Sequence, residues 1–361
     1  MTDTSLLGQP IESIATPAPV VDLDLLEQNL RRMAAYFAMR PCKLRPHFKS
    51  HKCVELARRQ LAAGACTGIT CAKLAEAEQL AAGGIQDILI ANQVVGADKA
   101  RRLAALNRQA TVRCAVDSLE NARQLSGVAT ASGVRIPVLL EVDIGMKRCG
   151  VPPGTPALEL ARELSRLPGL RFDGLQAYEG HVVDLPDPEE RRRKTSEAVA
   201  QVIETRRALE RAGVPVTMVS GGGTGTYDIT GNVDGIDEVQ CGSYALMDAS
   251  YARVRTEFVV ARWILATIVS SHPGYAVADV GTKGLGCEFG RPLVAGRPEA
   301  SARSVSEEHA TFDGLTAAVG DKVRLIPSHG CTTQNLYRRM WIMRGGMIVD
   351  LWPIEGSGLL E

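Results

Sequence analysis

Aromatic residues and net charge are scarce in this sequence. Phe, Trp and Tyr together make up 4% of the 361 residues, and 41 Lys and Arg residues balance 41 Asp and Glu residues. A protein that stacks nucleic-acid bases needs aromatic platforms, and binding to nucleic acid or to an anionic membrane needs excess positive charge. The composition therefore predicts that neither a nucleic acid nor a membrane is a partner.

Long apolar runs and paired cysteines are also missing. No stretch of 18 uninterrupted apolar residues occurs, so we expect no membrane span. Residues 1–5 lack the basic region and apolar run of a secretory signal. The nine cysteines are scattered singly and do not form the framework typical of a disulfide-rich secreted protein. We therefore expect a soluble cytoplasmic protein with reduced thiols.

Alternating strand and helix patterns run from about residue 18 to about residue 250. They give roughly eight β/α repeats, and the strands are short and apolar, as in sheets that are buried on both faces. After residue 255 the pattern changes to strands and turns, with a hairpin turn at Gly345-Gly346. The sequence predicts an α/β protein with a (β/α)8 TIM-type barrel over residues 16–254. A second, all-β domain is predicted over residues 255–361, together with about residues 1–15.

A basic motif, Arg-Pro-His-Phe-Lys-Ser-His-Lys, occupies residues 45–52. Cations that lie so close together raise the cost of charging one another, which predicts a depressed pKa for one of the lysines. A lysine that is partly neutral near pH 7 can attack a carbonyl and form a Schiff base. On these residues alone, a solvated basic turn stays open as the alternative.

Two small-residue turns follow successive predicted strands. Residues 220–226 contain three consecutive glycines, whose N–H groups can converge on an anion, and residues 241–244 form a second turn. The first turn lacks the Lys-Ser/Thr ending of a nucleotide P-loop, so ATP is not expected. Paired turns at the C-terminal face of a barrel are typical of phosphate sites. Plain flexible turns are the alternative.

Three further residues are candidates by their chemistry. Arg148 follows a strand that runs into a glycine turn, and its guanidinium fork suits a phenolate, carboxylate or phosphate. His329 and Cys331 are separated by one residue, which would place both side chains on one face of an extended chain. Histidine and cysteine are typical zinc ligands. A surface salt bridge for Arg148, and a structural histidine beside an inert thiol, are the alternatives.

Together these segments resemble the D-threonine aldolase and D-serine dehydratase family of fold-type III pyridoxal phosphate enzymes. The resemblance covers almost the whole chain, including the strand that ends at Arg148. Its motifs occur in this order: residues 16–22, 45–52, 178–181, 221–224, 242–244, 279–281, 307–309 and 329–331. It implies an alanine-racemase-like barrel followed by a β-domain, and a homodimer, because in this family the site is built at a dimer interface.

The resemblance also implies residue roles. Lys49 would be the Schiff-base lysine, with Lys52 the less favoured choice, Arg148 would lie beside the pyridoxal ring, and Tyr178 would line the pocket. The cofactor phosphate would be held by five small residues: Gly222, Gly223, Thr224, Gly242 and Ser243. A divalent metal beside the substrate would be bound in the β-domain by His329 and Cys331.

The implied substrate is a small D-3-hydroxy amino acid, and two reactions fit it. Removal of the Cα proton by Lys49 and loss of the hydroxyl would give a 2-oxo acid and ammonia, as in a dehydratase of D-serine or D-threo-3-hydroxyaspartate. Cleavage of the Cα–Cβ bond would give glycine and an aldehyde, as in an aldolase. Family aldolases resemble one another in having His-x-Asp, and dehydratases His-x-Cys, so Cys331 favours the dehydratase. A thiolate also favours zinc over manganese or magnesium.

Two other kinds of pyridoxal phosphate protein are less consistent with the sequence. An amino-acid racemase would need an acid on the opposite face of the cofactor, for which Tyr275 and Tyr337 are candidates, but it has no use for a metal pair. The small pyridoxal phosphate carrier proteins lack the second β-domain that this sequence predicts.

Overall fold

The computed structural model describes residues 5–361, which form two compact units. We call the first the barrel unit, which comprises Ala34–Lys49, Ala57–Gly242 and Leu359–Glu361. We call the second the sheet unit, which comprises the described residues up to Met33, Ser50–Leu56 and Ser243–Gly358. In the described part of the chain, no helix is both long enough and apolar enough to cross a membrane.

The strands are numbered in chain order. They are β1 (Ala18–Asp22), β2 (Lys43–Leu44), β3 (Ile69–Cys71), β4 (Asp87–Gln93), β5 (Thr111–Val116), β6 (Ile136–Glu141), β7 (Leu170–Ala177), β8 (Met218–Gly221), β9 (Glu238–Val239), β10 (Arg262–His272), β11 (Tyr275–Ala278), β12 (Leu293–Val294), β13 (Ser301–Val305), β14 (Ala310–Asp313), β15 (Lys322–Ile326), β16 (Arg339–Arg344) and β17 (Met347–Pro353).

The helices are numbered in the same way. They are α1 (Leu23–Ala38), α2 (Val54–Ala63), α3 (Leu74–Ala82), α4 (Ala97–Leu106), α5 (Leu119–Ala131), α6 (Thr155–Arg166), α7 (Pro188–Arg211), α8 (Tyr227–Thr230), α9 (Ala249–Val254) and α10 (Gly330–Gln334). Short 3-10 turns lie at Ile11–Ser13, Phe48–Ser50 and Ser243–Ala245.

Eight parallel strands form the barrel unit in the order β2-β9-β8-β7-β6-β5-β4-β3. The first and last strands also meet, because the Leu44 N–H donates to the Ala65 carbonyl at 2.9 Å and the Thr70 N–H donates to the Pro46 carbonyl at 2.8 Å. Every residue of β6 is buried, as expected of a strand covered on both faces. The predicted (β/α)8 barrel is confirmed.

The sheet unit contains a nine-stranded sheet with the path β13-β14-β11-β10-β1-β16-β17, in which β15 pairs with β10 and β12. Strand β1 runs antiparallel to β10 and parallel to β16. Assigning this N-terminal strand to the barrel was wrong. The error has a physical cause, since an apolar strand followed by an amphipathic helix gives the same pattern whichever sheet it joins. The predicted second β-domain is confirmed, with β1 added.

The N-terminal segment contacts the same sheet. The Gly8 N–H donates to the Ile348 carbonyl and the Ile348 N–H donates to the Gln9 carbonyl, both at 2.8 Å. Residues 1–4 of the predicted N-terminal addition lie outside the described residues. The division between the two units falls between Gly242 and Ser243, whereas the sequence predicted a boundary after residue 254.

Candidate active site

Lys49 lies in the 3-10 turn that follows β2. The ring of His47 shapes this turn, because its Nδ1 accepts the Lys49 backbone N–H at 3.4 Å. The Lys49 Nζ lies 5.9 Å from the centre of the Tyr178 ring. His51 caps the next turn in the same way, accepting the Cys53 N–H at 3.2 Å. A ring nitrogen that accepts a hydrogen bond carries no proton, so these two contacts suit the neutral form of each ring.

Lys52, the second lysine of the motif, has a different environment. Its side chain is buried in the sheet unit, and its Nζ donates to the Gly356 carbonyl at 3.1 Å. An amine that is held by a backbone carbonyl is less available as a nucleophile. The geometry therefore favours Lys49 over Lys52 as the cofactor lysine.

Tyr178 and Arg148 also come together in the barrel unit. The Arg148 guanidinium carbon lies 5.8 Å from the centre of the Tyr178 ring, within the range of a cation–π contact. Nearby, Glu141 at the end of β6 accepts a hydrogen bond of 2.5 Å from the Gln93 side chain. Burial raises the pKa of Glu141, and this hydrogen bond and the Arg148 charge only partly oppose that effect.

The glycine turn after β8 is tightly packed. Gly222 has a φ of +69°, and a Cβ atom there would lie 2.2 Å from a methyl group of Val239. A Cβ at Gly225 would lie 1.8 Å from the Val183 carbonyl oxygen. The Gln240 N–H donates to the Gly221 carbonyl at 2.8 Å, so the second turn begins beside the first. A loop that admits only glycine at these positions is consistent with a phosphate cradle.

The five predicted phosphate ligands are divided between the two units. The barrel unit contains four of them, namely Gly222, Gly223, Thr224 and Gly242. Ser243 begins the sheet unit, where it lines a small cleft with Asp248 and Cys331. The lysine amine, the glycine cradle and the Arg148–Tyr178 contact together fit pyridoxal phosphate.

His329 and Cys331 meet in the sheet unit, although not for the predicted reason. Helix α10 begins at Gly330, so Cys331 lies in its first turn and only His329 is extended. The extended-chain argument was therefore wrong, yet Cys331 still lies close enough to His329 to raise the pKa of its ring. Within residues 5–361, no group of three or more His, Cys, Asp or Glu side chains is arranged to hold a metal.

Glu288 orients the His329 ring, a contact that the sequence did not predict. One Glu288 oxygen lies 2.5 Å from the His329 Nδ1 and accepts a hydrogen bond of 2.6 Å from the Thr332 hydroxyl. Burial by itself lowers the pKa of His329, but Cys331 and Glu288 raise it to about 9. A carboxylate on one ring nitrogen leaves the other, Nε2, for a metal. The donor set of one imidazole and one thiol fits zinc.

Two buried charged residues hold the peptide between the candidate ligands. Asp248 accepts the Gly330 N–H at 2.8 Å, and the Arg262 guanidinium donates to the Gly330 carbonyl at 3.2 Å. A Cβ at Gly330 would lie 2.0 Å from an Arg262 nitrogen, so a larger residue there would have to displace this buried guanidinium. Asp248 is also the N-cap of α9, a position where aspartate is common, so the sequence offers a helix-capping role for it. Nothing in the sequence links Asp248 to Gly330.

Comparisons with known families match both parts of the chain. The family model for the alanine racemase N-terminal domain matches residues 21–250, and that for a putative serine dehydratase domain matches residues 261–343. A 3-hydroxy-D-aspartate aldolase of Paracoccus denitrificans is 37% identical over 368 residues, spanning 98% of this chain and 95% of that protein. A D-threonine aldolase of an Arthrobacter species is 38% identical over 360 residues, spanning 97% of this chain and 95% of that protein.

A solved structure is similar throughout. The crystal structure of D-threonine aldolase from Filomicrobium marinum matches with a TM-score of 0.97 at 37% identity, covering 100% of both chains. A D-threo-3-hydroxyaspartate dehydratase of a Delftia species is 30% identical over 350 residues, spanning 89% of this chain and 92% of that protein. The predicted resemblance is confirmed. The chain belongs to the D-threonine aldolase and D-serine dehydratase family of pyridoxal phosphate-dependent lyases, which carry an alanine-racemase-like N-terminal domain.

Proposed function

We propose that this protein is an aldolase that cleaves the Cα–Cβ bond of a D-3-hydroxy amino acid and releases glycine and an aldehyde. The observation that carries the proposal is the TM-score of 0.97 over the full length of a D-threonine aldolase. The curated relatives at 37% and 38% identity are also aldolases. D-threonine and D-threo-3-hydroxyaspartate are the substrates that we expect.

This proposal reverses the ranking that Cys331 suggested. The His-x-Cys pair favoured a dehydratase over an aldolase, but the comparisons favour the aldolase. The Delftia dehydratase, at 30% identity over 350 residues, keeps the dehydratase as the second candidate. We infer that the thiol at this position does not by itself determine which bond of the substrate breaks.

Lys49 is the residue that we assign to covalent attachment of the cofactor, because its amine faces Tyr178 whereas the Lys52 amine is bound to a carbonyl. When bound, pyridoxal phosphate supplies an electron sink for the bond that breaks at Cα. Arg148 and Tyr178 would orient the ring, the arginine through its fixed positive charge and the tyrosine through its face. The glycine turn after β8 would hold the phosphate.

His329 and Cys331 are the residues that we assign to a divalent metal, with zinc favoured by the thiol and manganese or magnesium as alternatives. A solved structure of a mutant D-threo-3-hydroxyaspartate dehydratase, described as a metal-free form, supports metal binding in the family. A metal there would act as a Lewis acid on the substrate hydroxyl and lower its pKa. Glu288 would keep the imidazole in the tautomer that binds the metal.

Product analysis tests the reaction. The purified protein, loaded with pyridoxal phosphate and zinc, is incubated separately with D-threonine, D-threo-3-hydroxyaspartate and D-serine. Glycine with an aldehyde, detected by chromatography, is the expected result. Ammonia with a 2-oxo acid would overturn the aldolase in favour of the dehydratase. Recovery of the substrate as a mixture of its two Cα epimers, without either product pair, would instead indicate a racemase.

We also propose that the protein acts as a homodimer in the cytoplasm on small-molecule substrates. The support for the dimer is the resemblance, since family members build the site at a dimer interface. Light scattering after size-exclusion chromatography would test it, and a monomer with full activity would contradict it.

A further inference from the structure

Glu179 is a fully buried carboxylate beneath the glycine turn, and none of the roles assigned above involves it. It follows Tyr178 directly and has no exposed surface. One oxygen, Oε2, accepts the Gly222 N–H at 3.2 Å. The other, Oε1, accepts the hydroxyls of Thr226 and Thr230 at 2.7 and 2.5 Å. Both oxygens of this buried carboxylate thus accept hydrogen bonds from residues 222–230.

Thr226 extends this hydrogen-bond network to the next glycine. Its hydroxyl donates to Glu179, and its oxygen accepts the Gly223 N–H at 3.3 Å. The N–H groups of Gly222 and Gly223 are therefore bonded within the protein, the first to Glu179 and the second to Thr226. These are two of the N–H groups that the sequence analysis assigned to the cofactor phosphate.

We propose that Glu179 is a positioning residue that holds the glycine turn in the shape that receives the cofactor phosphate, acting through Gly222 and Thr226. Gly222 and Gly223 then shape the cradle with their N–H groups, and other donors bind the phosphate. The inference rests on the cofactor part of the proposed function and is independent of which carbon–carbon or carbon–oxygen bond is cleaved.

The donors around Glu179 explain why a carboxylate is needed there. A carboxylate only accepts hydrogen bonds, and all three of its partners donate. A glutamine has nearly the same shape but offers one oxygen and one NH2 group. Its NH2 group would face either the Gly222 N–H, which cannot accept, or the two threonine hydroxyls, which would have to turn and give up their present bonds to accept it. A buried donor without an acceptor is costly, and the loop is expected to move.

Charge alone predicts the opposite effect. A buried negative charge close to an anionic phosphate is repulsive, so a neutral glutamine would strengthen phosphate binding if Glu179 acted only as a charge. The positioning role predicts weaker binding. The sign of the change in affinity therefore distinguishes the two roles.

The experiment compares pyridoxal phosphate with pyridoxal, which lacks the phosphate. Dissociation constants for both are measured by absorbance titration on the wild type and on Glu179→Gln, Thr226→Val and Thr226→Ser. We expect Glu179→Gln and Thr226→Val to weaken binding of pyridoxal phosphate by about tenfold or more, as for a lost buried hydrogen bond. Binding of pyridoxal should be nearly unchanged, and Thr226→Ser, which keeps the hydroxyl, should resemble the wild type.

Glu76→Gln is the matched control. Glu76 is also buried in the barrel unit, and its carboxylate accepts the backbone N–H groups of Ala72 and Lys73, away from the glycine turn. This variant should keep the wild-type ratio of the two dissociation constants even if it melts earlier. Circular dichroism checks that each variant is folded. If Glu179→Gln does not fold, the comparison of Thr226→Val with Thr226→Ser tests the inference.

Two results would overturn the inference. An unchanged or increased preference for pyridoxal phosphate in folded Glu179→Gln and Thr226→Val would show that the network does not position a phosphate cradle. A wild-type protein that binds pyridoxal as tightly as pyridoxal phosphate would contradict the phosphate site itself. A failure of the aldolase proposal alone would leave the binding ratios unaffected, so the two failures can be told apart.

Discussion

At the residue scale, the two lysines of the basic motif give the most direct test of the site. Lys49→Ala should abolish covalent attachment of the cofactor and all turnover, because its amine is the one that is not held by a backbone carbonyl. Mass spectrometry after borohydride reduction measures the attachment. Lys52→Ala is the matched control and should still attach the cofactor. Attachment that persists in Lys49→Ala and disappears in Lys52→Ala would transfer the assignment to Lys52.

We expect Cys331 to set which metal is preferred, and we expect it not to decide the product. Cys331→Asp replaces a soft thiolate with a hard carboxylate, so the variant should lose preference for zinc and gain preference for manganese or magnesium. Elemental analysis after dialysis against mixed metals measures the change. The product should stay glycine and an aldehyde. A switch of product between wild type and variant would show that this ligand selects the reaction after all.

Glu141 should make stability depend on pH. Burial raises its pKa above the ordinary value of 4.5, because the ionised carboxyl is more costly in the folded protein than in the unfolded chain. Glu141→Gln removes this cost. The variant should match the wild type below the ordinary pKa and become relatively more stable as the pH rises through the raised pKa. Thermal midpoints between about pH 4 and about pH 8 test this, and a constant difference would contradict it.

The sequence shows candidate residues more readily than the residues that support them. Lys49 and the glycine turn stand out because their chemistry is local, carried by a short run of unusual residues. Glu288 lies 41 residues before His329, and Glu179 lies 43 residues before Gly222. Such partners act through tertiary contacts that no spacing rule contains, so they could not be predicted from one sequence.

At the element scale, patterns identify strands and helices but not always their neighbours. The hairpin turn predicted at Gly345-Gly346 is confirmed, because β16 and β17 pair antiparallel on either side of it. Strand β1 was placed in the wrong sheet because its apolar residues suit a buried position in either one. The short helix α10 was missed because its five residues contain no helical periodicity.

The start of α7 gives a prediction at this scale. The Asp187 side chain accepts the backbone N–H groups of Glu189 and Glu190, and Pro188 occupies the first helical position. Asp187→Ala removes this cap and should lower the free energy of unfolding by about 0.5–2 kcal/mol, measured by urea denaturation. Asp187→Ser keeps a capping oxygen and should lose little. Equal losses in both variants would show that the cap does not stabilise the helix.

At the scale of the whole molecule, the formal net charge is zero, yet a cluster of charged side chains lies inside the barrel unit. Arg45 bonds Glu238 and Asp87, each at 2.7 Å, and Arg113 bonds Asp87 and Asp173 at 2.7 and 2.9 Å. These five residues link strands β4, β5, β7 and β9 with the segment after β2. Equal numbers of acids and bases in the sequence gave no sign of this, because composition does not report which charges are buried.

This cluster leads to a prediction about global stability. Arg45 and Glu238 are both almost fully buried, so Glu238→Gln leaves the Arg45 charge with one partner fewer in a dry environment. The free energy of unfolding, measured by urea denaturation, should fall by about 3–5 kcal/mol. The double variant Arg45→Met with Glu238→Leu removes both charges and should lose less, since no buried ion then lacks its partner. Glu197→Gln, which breaks an exposed pair with Arg193, should cause little change. A double variant that is less stable than Glu238→Gln would show that the ion pair itself, and not the penalty of an unpaired charge, stabilises the barrel.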